Sequence, residues 1–295
     1  MSPNISRREF IGSALAAGVC GCAVPKCCSL PGVAVQLYSV RGIIKAKGLP
    51  AVLAEIKKLG YEGVEFASYY GHSAAELKSM LADNGLVACG THIGVQTLMP
   101  ENIAKTIEFE LGYGNKHLVC PGMNPPKDYT GDMAKWWREM ADKFAAAADT
   151  AAKYGCTIGY HNHQHEFKPR LMLDGKETCK WEILFSNTPA NVTMEMDVGW
   201  CVTAGEDPAY WYGRYPHRSL TLHAKEVFAK GAPGILGQPG FLEDGKPRKG
   251  VDWDALFKIT DADGVKWYVV ECETNPDSFE SIAKSFEFLR SKGRC

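Results

Sequence analysis

The chain has 295 residues, 45% hydrophobic and 11% aromatic, with 33 Lys and Arg against 34 Asp and Glu and a formal net charge of −1. These proportions exclude a disordered chain and a coiled coil, and an α/β barrel of about 250 residues would use nearly all of the length. The balanced charge, with no stripe of Lys or Arg, argues against a nucleic-acid partner and leaves small neutral or mildly polar substrates.

Residues 1–30 read as a targeting segment rather than as part of a fold. Ser6-Arg7-Arg8-Glu9-Phe10 precedes a short apolar run over 13–19, the pattern of a twin-arginine export signal, and the run is too short to span a bilayer. Cys20 or Cys22 is the candidate for a lipid-bearing N-terminus, although the residues before them match a lipobox poorly. The expectation is export by the twin-arginine route to the periplasm, free or lipid-anchored, with one domain over 31–295. Without Arg7, Arg8, Lys26 and Glu9 the remainder holds 30 basic and 33 acidic residues, a charge of −3. The seven cysteines beyond residue 30 are scattered and odd in number, unlike a disulfide framework, and buried thiols are expected for the four that lie within or beside apolar strand-like runs.

From residue 33 short apolar runs alternate with amphipathic stretches, the pattern of repeated strand–helix units around a parallel sheet. The runs 33–38, 62–67, 86–93, 117–120, 156–162, 191–198, 219–224 and 265–272 are expected as eight strands. Leu49, Val52, Leu53, Ile56 and Leu59 step at helical spacing up to Gly60. Met133, Met140, Phe144, Ala147 and Ala151 line a long helix stopped by Gly155, and Phe279, Ile282, Phe286 and Leu289 mark the last one. Eight such units in about 265 residues predict a single (β/α)8 barrel, with an open doubly wound sheet as the alternative. No Gly-x-Gly-x-x-Gly follows a strand, which weakens a dinucleotide-binding version. Segment 228–251, rich in Gly, Pro and Lys, is expected as a loop over the site.

In a barrel, polar residues at the C-terminal ends of strands carry the chemistry. Asp197, His223 and Glu271 each close an apolar run on three successive strands, where a charged group is costly unless paired or bound to a metal. They are candidate ligands for a divalent ion of the Mn²⁺, Mg²⁺, Co²⁺ or Zn²⁺ type, which suits two carboxylates and an imidazole and can stabilise an enediolate. Three of the eight histidines fall within His161-Asn162-His163-Gln164-His165-Glu166, and on a strand all three would share one face. Either His161 or Glu166 is the candidate fourth ligand, with His163 reaching substrate. Glu271 or His163 is the candidate base, and Lys225 would stabilise a developing oxyanion. Glu65 and His92, with Gln36 and Trp200, are candidate substrate contacts, and Tyr38, Tyr69, Tyr70, Trp211 and Tyr212 could stack on a sugar ring.

The set YSVR (38–41), VEFA (64–67), THIG (91–94), YHNHQHEF (160–167), EMDVGW (195–200), LHAKE (222–226), GVDWDALF (250–257) and VVECE (269–273) resembles the sugar phosphate isomerase/epimerase family of xylose isomerase-like barrels. The resemblance covers essentially all of the chain after residue 30. It implies a barrel with a divalent metal held by a carboxylate from strand five and by an aspartate, a histidine and a glutamate that fall on Asp197, His223 and Glu271. The departure is at strand five, where epimerases of the family carry Glu at the position of His161; a two-glutamate ketose 3-epimerase would then need Glu166 in its place. Some exported branches resemble enzymes that cleave 3-keto-glycosides, for which one base and one acid suffice. The partner implied is a small carbohydrate, with a homo-oligomer allowed and membrane contact only through a lipid on the N-terminus. An endonuclease IV-like enzyme and a non-catalytic sugar-binding barrel are the rivals. The first is opposed by the charge of −3; the second would bind saccharide without turnover.

Overall fold

The computed structural model of the protein describes residues 30–227, 234–240, 245–247 and 249–295. The expected export signal, with Cys20 and Cys22, lies outside the described residues, as does part of 228–251.

Eight parallel strands close into a barrel: Gly32–Gln36, Gly63–Phe66, Val87–His92, His117–Cys120, Thr157–His161, Val192–Asp197, Thr221–Ala224 and Trp267–Val270. Each pairs with its neighbours in sequence, and the first closes on the last with Val33 opposite Tyr268. All eight expected strands are present, one or two residues shorter than their apolar runs at several ends. An antiparallel pair, Leu171–Leu173 and Lys176–Thr178, adds to the expected elements. Its signal is Asp174-Gly175, both at positive φ (50° and 78°), the turn chemistry of a tight hairpin.

The alternation along each strand sorts the side chains. Val33, Val35, Val64, Phe66, Leu118, Ile158, Tyr160, Met194, Met196, Leu222 and Val270 face outward into the layer shared with the helices, all buried. The helix Met133–Ala152 lays Trp137, Phe144, Ala147 and Ala151 on that layer, each large side chain so buried contributing about 1.5–3 kcal/mol. Asp132 starts it by accepting from the backbone N–H of Ala134 (2.8 Å) and Lys135 (3.2 Å).

Inside, the barrel departs from the usual stack of branched apolar residues. Only the N-terminal end is plugged that way, by Ala34, Cys89, Val269 and the Trp267 ring. A Cβ on Gly32 would collide with that ring, so glycine there makes room for the indole. Above the plug the interior is polar: Gln36, Glu65, His161, Glu195, Asp197, Thr221, His223 and Lys225 are all buried. Cys89, Cys120, Cys156, Cys179, Cys201 and Cys272 are free and buried, and Cys295 is free and exposed. Among the described residues no helix is long and apolar enough to cross a membrane.

Candidate metal centre

The site is assembled at the C-terminal ends of strands five to eight. Asp197 ends strand six and caps the short helix Val198–Thr203, its Oδ1 accepting from Trp200 N at 2.8 Å. Asn162, just past strand five, clamps the same point: its Oδ1 accepts from Asp197 N and its Nδ2 donates to Asp197 O, both at 3.0 Å. With one oxygen fixed by the helix cap, the other is aimed inward. Asp197 Oδ2 is buried without a hydrogen bond, 3.8 Å from His161 Nε2 and 3.2 Å from Lys225 Nζ. His223 Nδ1 stands 3.2 Å from Glu271 Oε2, which also accepts from Lys225 Nζ at 2.8 Å. Lys225 donates to Glu273 as well, and its ammonium lies 5.1 Å from the Trp200 ring.

His161, Asp197, His223 and Glu271 each offer one ligand atom, all within 4.8 Å of one another, and all four residues are buried. Two imidazoles and two carboxylates form a donor set for a divalent ion of borderline character, and the inward Asp197 Oδ2, met at hydrogen-bond distance only by the Lys225 ammonium at 3.2 Å among the described residues, is the atom an ion would engage. Burial pushes the Asp197 carboxyl up to about 6 against the pull of Lys225. Burial also opposes ionisation of Glu271, but the Lys225 ammonium and His223 outweigh it and hold the carboxyl well below the usual range. Burial drives His161 well below the ordinary histidine value, which leaves the ring neutral, the form a ligand needs.

Of the two expected fourth ligands, the structure brings in His161 and not Glu166. Strand five ends at His161, and the chain then turns through Gln164–Glu166. Glu166 there accepts from Tyr160 Oη (2.7 Å) and from its own turn at His163 N (2.7 Å). This turn also corrects the expectation that His161, His163 and His165 share a strand face. His163 stays at the mouth, its ring 5.1 Å from that of His161; His165 stacks on it and is half exposed.

A cavity of about 390 Å³ opens over the cluster, lined by Tyr38, His92, His161, His163, Glu271 and Glu273 among others, in the range of small-molecule sites, about 300–1,000 Å³. His92 and His163 therefore sit where a substrate would. Gln36 and Glu65 do not: both are fully buried, and Glu65 accepts from Gln36 Nε2 (2.7 Å) and meets His223 Nε2 at 2.6 Å, on the opposite side of that ring from Glu271. Trp200 is nearly buried, with the Lys225 ammonium over its ring. Trp211 packs on Phe167 in the outer layer, Tyr212 is buried, and Tyr69 donates to Glu110 at 2.5 Å, so of the aromatic candidates Tyr38 alone lines the cavity.

Glu195 has no role in the reading from sequence, yet its Oε1 meets His92 Nε2 at 2.7 Å, His161 Nδ1 at 3.2 Å and His223 Nε2 at 3.1 Å. The signal is present: Glu195 is two residues before Asp197 and therefore on the same inward face. Its Oε2 accepts from Thr221 Oγ1 at 2.5 Å, and Thr221 leads on to His117, whose ring nitrogens lie 3.2 Å from Thr221 Oγ1 and 2.7 Å from Thr157 Oγ1.

Burial pushes His117 down from 6.5 to about 4. The unfolded chain takes up a proton near pH 6.5 that the folded one refuses. Stability is therefore full above pH 6.5 and is lost as the pH falls through about 4, by up to about 3 kcal/mol at 1.36 kcal/mol per unit. Denaturant titrations between pH 7 and 4 should show this loss, and it should shrink in His117→Gln.

A closed parallel barrel with a His₂–carboxylate₂ cluster at its C-terminal mouth defines the class to which this protein belongs. The model of the family described as xylose isomerase-like TIM barrel matches residues 53–292, and the chain belongs to that family. It is 29% identical over 269 residues to an inosose dehydratase of Bacillus thuringiensis (strain Al Hakam), covering 81% of this chain and 88% of that protein. Among solved structures it is similar to a sugar phosphate isomerase/epimerase from Parabacteroides distasonis ATCC 8503, with a TM-score of 0.72, 24% identity, and coverage of 91% of this chain and 98% of that one. A D-allulose 3-epimerase from Methylomonas sp. superposes with a TM-score of 0.58 at 14% identity, over 89% and 98% of the two chains. These two likenesses are of fold.

Proposed function

We propose that the protein is a metal-dependent enzyme that acts on a carbohydrate by abstracting a proton beside a carbonyl, as sugar isomerases and epimerases do. The observation that carries this reading is the convergence of His161 Nε2, Asp197 Oδ2, His223 Nδ1 and Glu271 beside an open cavity. These four would hold an Mn²⁺, Mg²⁺, Co²⁺ or Zn²⁺ ion, which supplies Lewis acidity toward the carbonyl oxygen and an adjacent hydroxyl.

The chain's own residues supply the rest. His163 lines the cavity, and burial lowers its proton affinity. It is neutral at physiological pH and able to take the proton. Glu271 is already engaged by Lys225 and His223, which suits a ligand better than a free base. The Lys225 ammonium, paired with Asp197, Glu271 and Glu273, would help to stabilise enediolate charge, and Glu273 beside it lines the cavity and can accept from a substrate hydroxyl.

Loss of a β-oxygen group is the second reading. It is favoured by His161 standing where a two-glutamate epimerase has a carboxylate, and by the inosose dehydratases among the relatives. Dehydration and 3-keto-glycoside cleavage share that elimination step. Export by the twin-arginine route is part of the proposal and fits free or glycosidically linked sugars better than phosphorylated ones.

Proton NMR in D₂O of metal-loaded protein with a ketohexose, an inosose and a 3-keto-glucoside tests both readings. Deuterium entering the ketohexose without cleavage supports the isomerase/epimerase. Release of water or aglycone supports elimination. Saccharide binding with neither exchange nor release would overturn both in favour of a binding barrel.

A further inference from the structure

Beneath the candidate metal centre lies a second polar layer that no relative's name and no role assigned above accounts for. Glu195 and Glu65 are both fully buried. Among the described residues neither faces a Lys or an Arg; the groups around their oxygens are Gln36, Thr221 and the imidazoles of His92, His161 and His223. Buried carboxylates cost several kcal/mol each unless paired; His223 and His92, which against burial these two push up, face them, which leaves the placing of His161 beside them to be explained.

The reason is visible in how the two shared rings are turned. His161 points Nε2 at Asp197 Oδ2 and Nδ1 at Glu195 Oε1, 3.2 Å away. His223 points Nδ1 at Glu271 Oε2 and Nε2 at Glu65 Oε2, 2.6 Å away, with Glu195 Oε1 at 3.1 Å. Each ring thus has one nitrogen toward the open site and the other toward the deep carboxylates. A carboxylate accepts and cannot donate; on His161 only the deep carboxylate is within hydrogen-bond distance, so it selects the tautomer that carries the proton on Nδ1, whereas His223 meets carboxylates at both nitrogens and, against burial, Glu195 and Glu65 push it well above its ordinary value. Nε2 of His161 is then bare and can ligate.

We propose that Glu195, with Glu65 beside it, is a positioning residue that fixes the tautomer of His161, so that its Nε2 is presented bare to a cation beside Asp197. The inference rests on the metal reading for its consequence but not for the tautomer. Gly90 belongs to the same device: a Cβ there would lie 2.5 Å from Glu65 Oε1, so the absence of a side chain leaves the carboxylate its place. Thr221 and Gln36 hold the two carboxylates from behind through Oε2 of each.

The test is ¹⁵N NMR of histidine-labelled, metal-free protein, with Mn²⁺ and Zn²⁺ affinities measured by chelator competition. The wild type is expected to show a neutral His161 protonated on Nδ1. Glu195→Gln, which can accept on only one oxygen, should mix the His161 tautomers and weaken both ions by about 10–100-fold, the usual cost of losing such a partner. Its metal-free melting temperature is the control for a merely structural role, and Gln36→Leu, which leaves both carboxylates in place, serves if Glu195→Gln does not fold: it should shift the ¹⁵N signals of His223 more than those of His161. A wild-type His161 protonated on Nε2, or a folded Glu195→Gln with unchanged tautomers and affinities, overturns the proposal. Wild-type protein that binds neither ion overturns the metal reading instead, and the tautomers still decide the role of Glu195.

Discussion

Asp197→Ala and His223→Ala are each expected to abolish divalent-ion binding at the proposed centre and to lower turnover sharply, while leaving a folded barrel. Removing a ligand takes away a bond that the remaining three groups do not replace, and the Lewis acid goes with it. The two variants differ in what they leave behind. Asp197→Ala also removes the cap that accepts from Trp200 N, at about 0.5–2 kcal/mol, and Asp197→Asn, which keeps an oxygen for that cap, separates the cap from the ligand. His223→Ala leaves Glu65, Glu195 and Glu271 short of a partner at once. Breaking buried pairs from one side costs about 3–5 kcal/mol, so this variant should melt well below Asp197→Asn. Metal analysis beside circular dichroism checks both. Full metal content in folded Asp197→Asn and His223→Ala would sink the assignment of the site.

Much of this is legible because barrel strands write their inner face at period two. Asp197, His223 and Glu271 are conspicuous as charges closing apolar runs, and the structure places them together. Glu195 escapes notice because it lies inside its run, flanked by Met194 and Met196, where alternation alone carries the information. Gln36 and Glu65 share that inner face but point to the deep side of His223, a matter of barrel depth that a strand pattern does not encode. The histidine cluster misleads for the opposite reason. Its spacing of two suggests one strand face, but the strand stops at His161, and Glu166 reaching back to His163 N closes a local turn that competes with further pairing. His117 is likewise invisible as a core group in sequence, since only the assembled barrel brings Thr157 and Thr221 to its two nitrogens.

The roles of His163 and Glu271 come apart under substitution. His163→Gln is expected to retain the ion, because the ring is outside the four-ligand set, yet to slow hydrogen–deuterium exchange at the carbon beside the carbonyl by about 10²–10⁴, the range for loss of a general base. Glu271→Gln should lose ion and exchange together, and Lys225 then keeps only Asp197 and Glu273 as partners. The pH profile sharpens the distinction. Burial holds His163 below its ordinary 6.5, and a base works only when unprotonated, so kcat/KM should stay level down to about pH 6.5 and fall as the pH drops further through the lowered value. In His163→Gln that acid limb should disappear from the residual rate. A His163→Gln enzyme with wild-type exchange and an unchanged acid limb would pass the proton to Glu271, and Glu271 would then have to act as ligand and base in turn through its two oxygens.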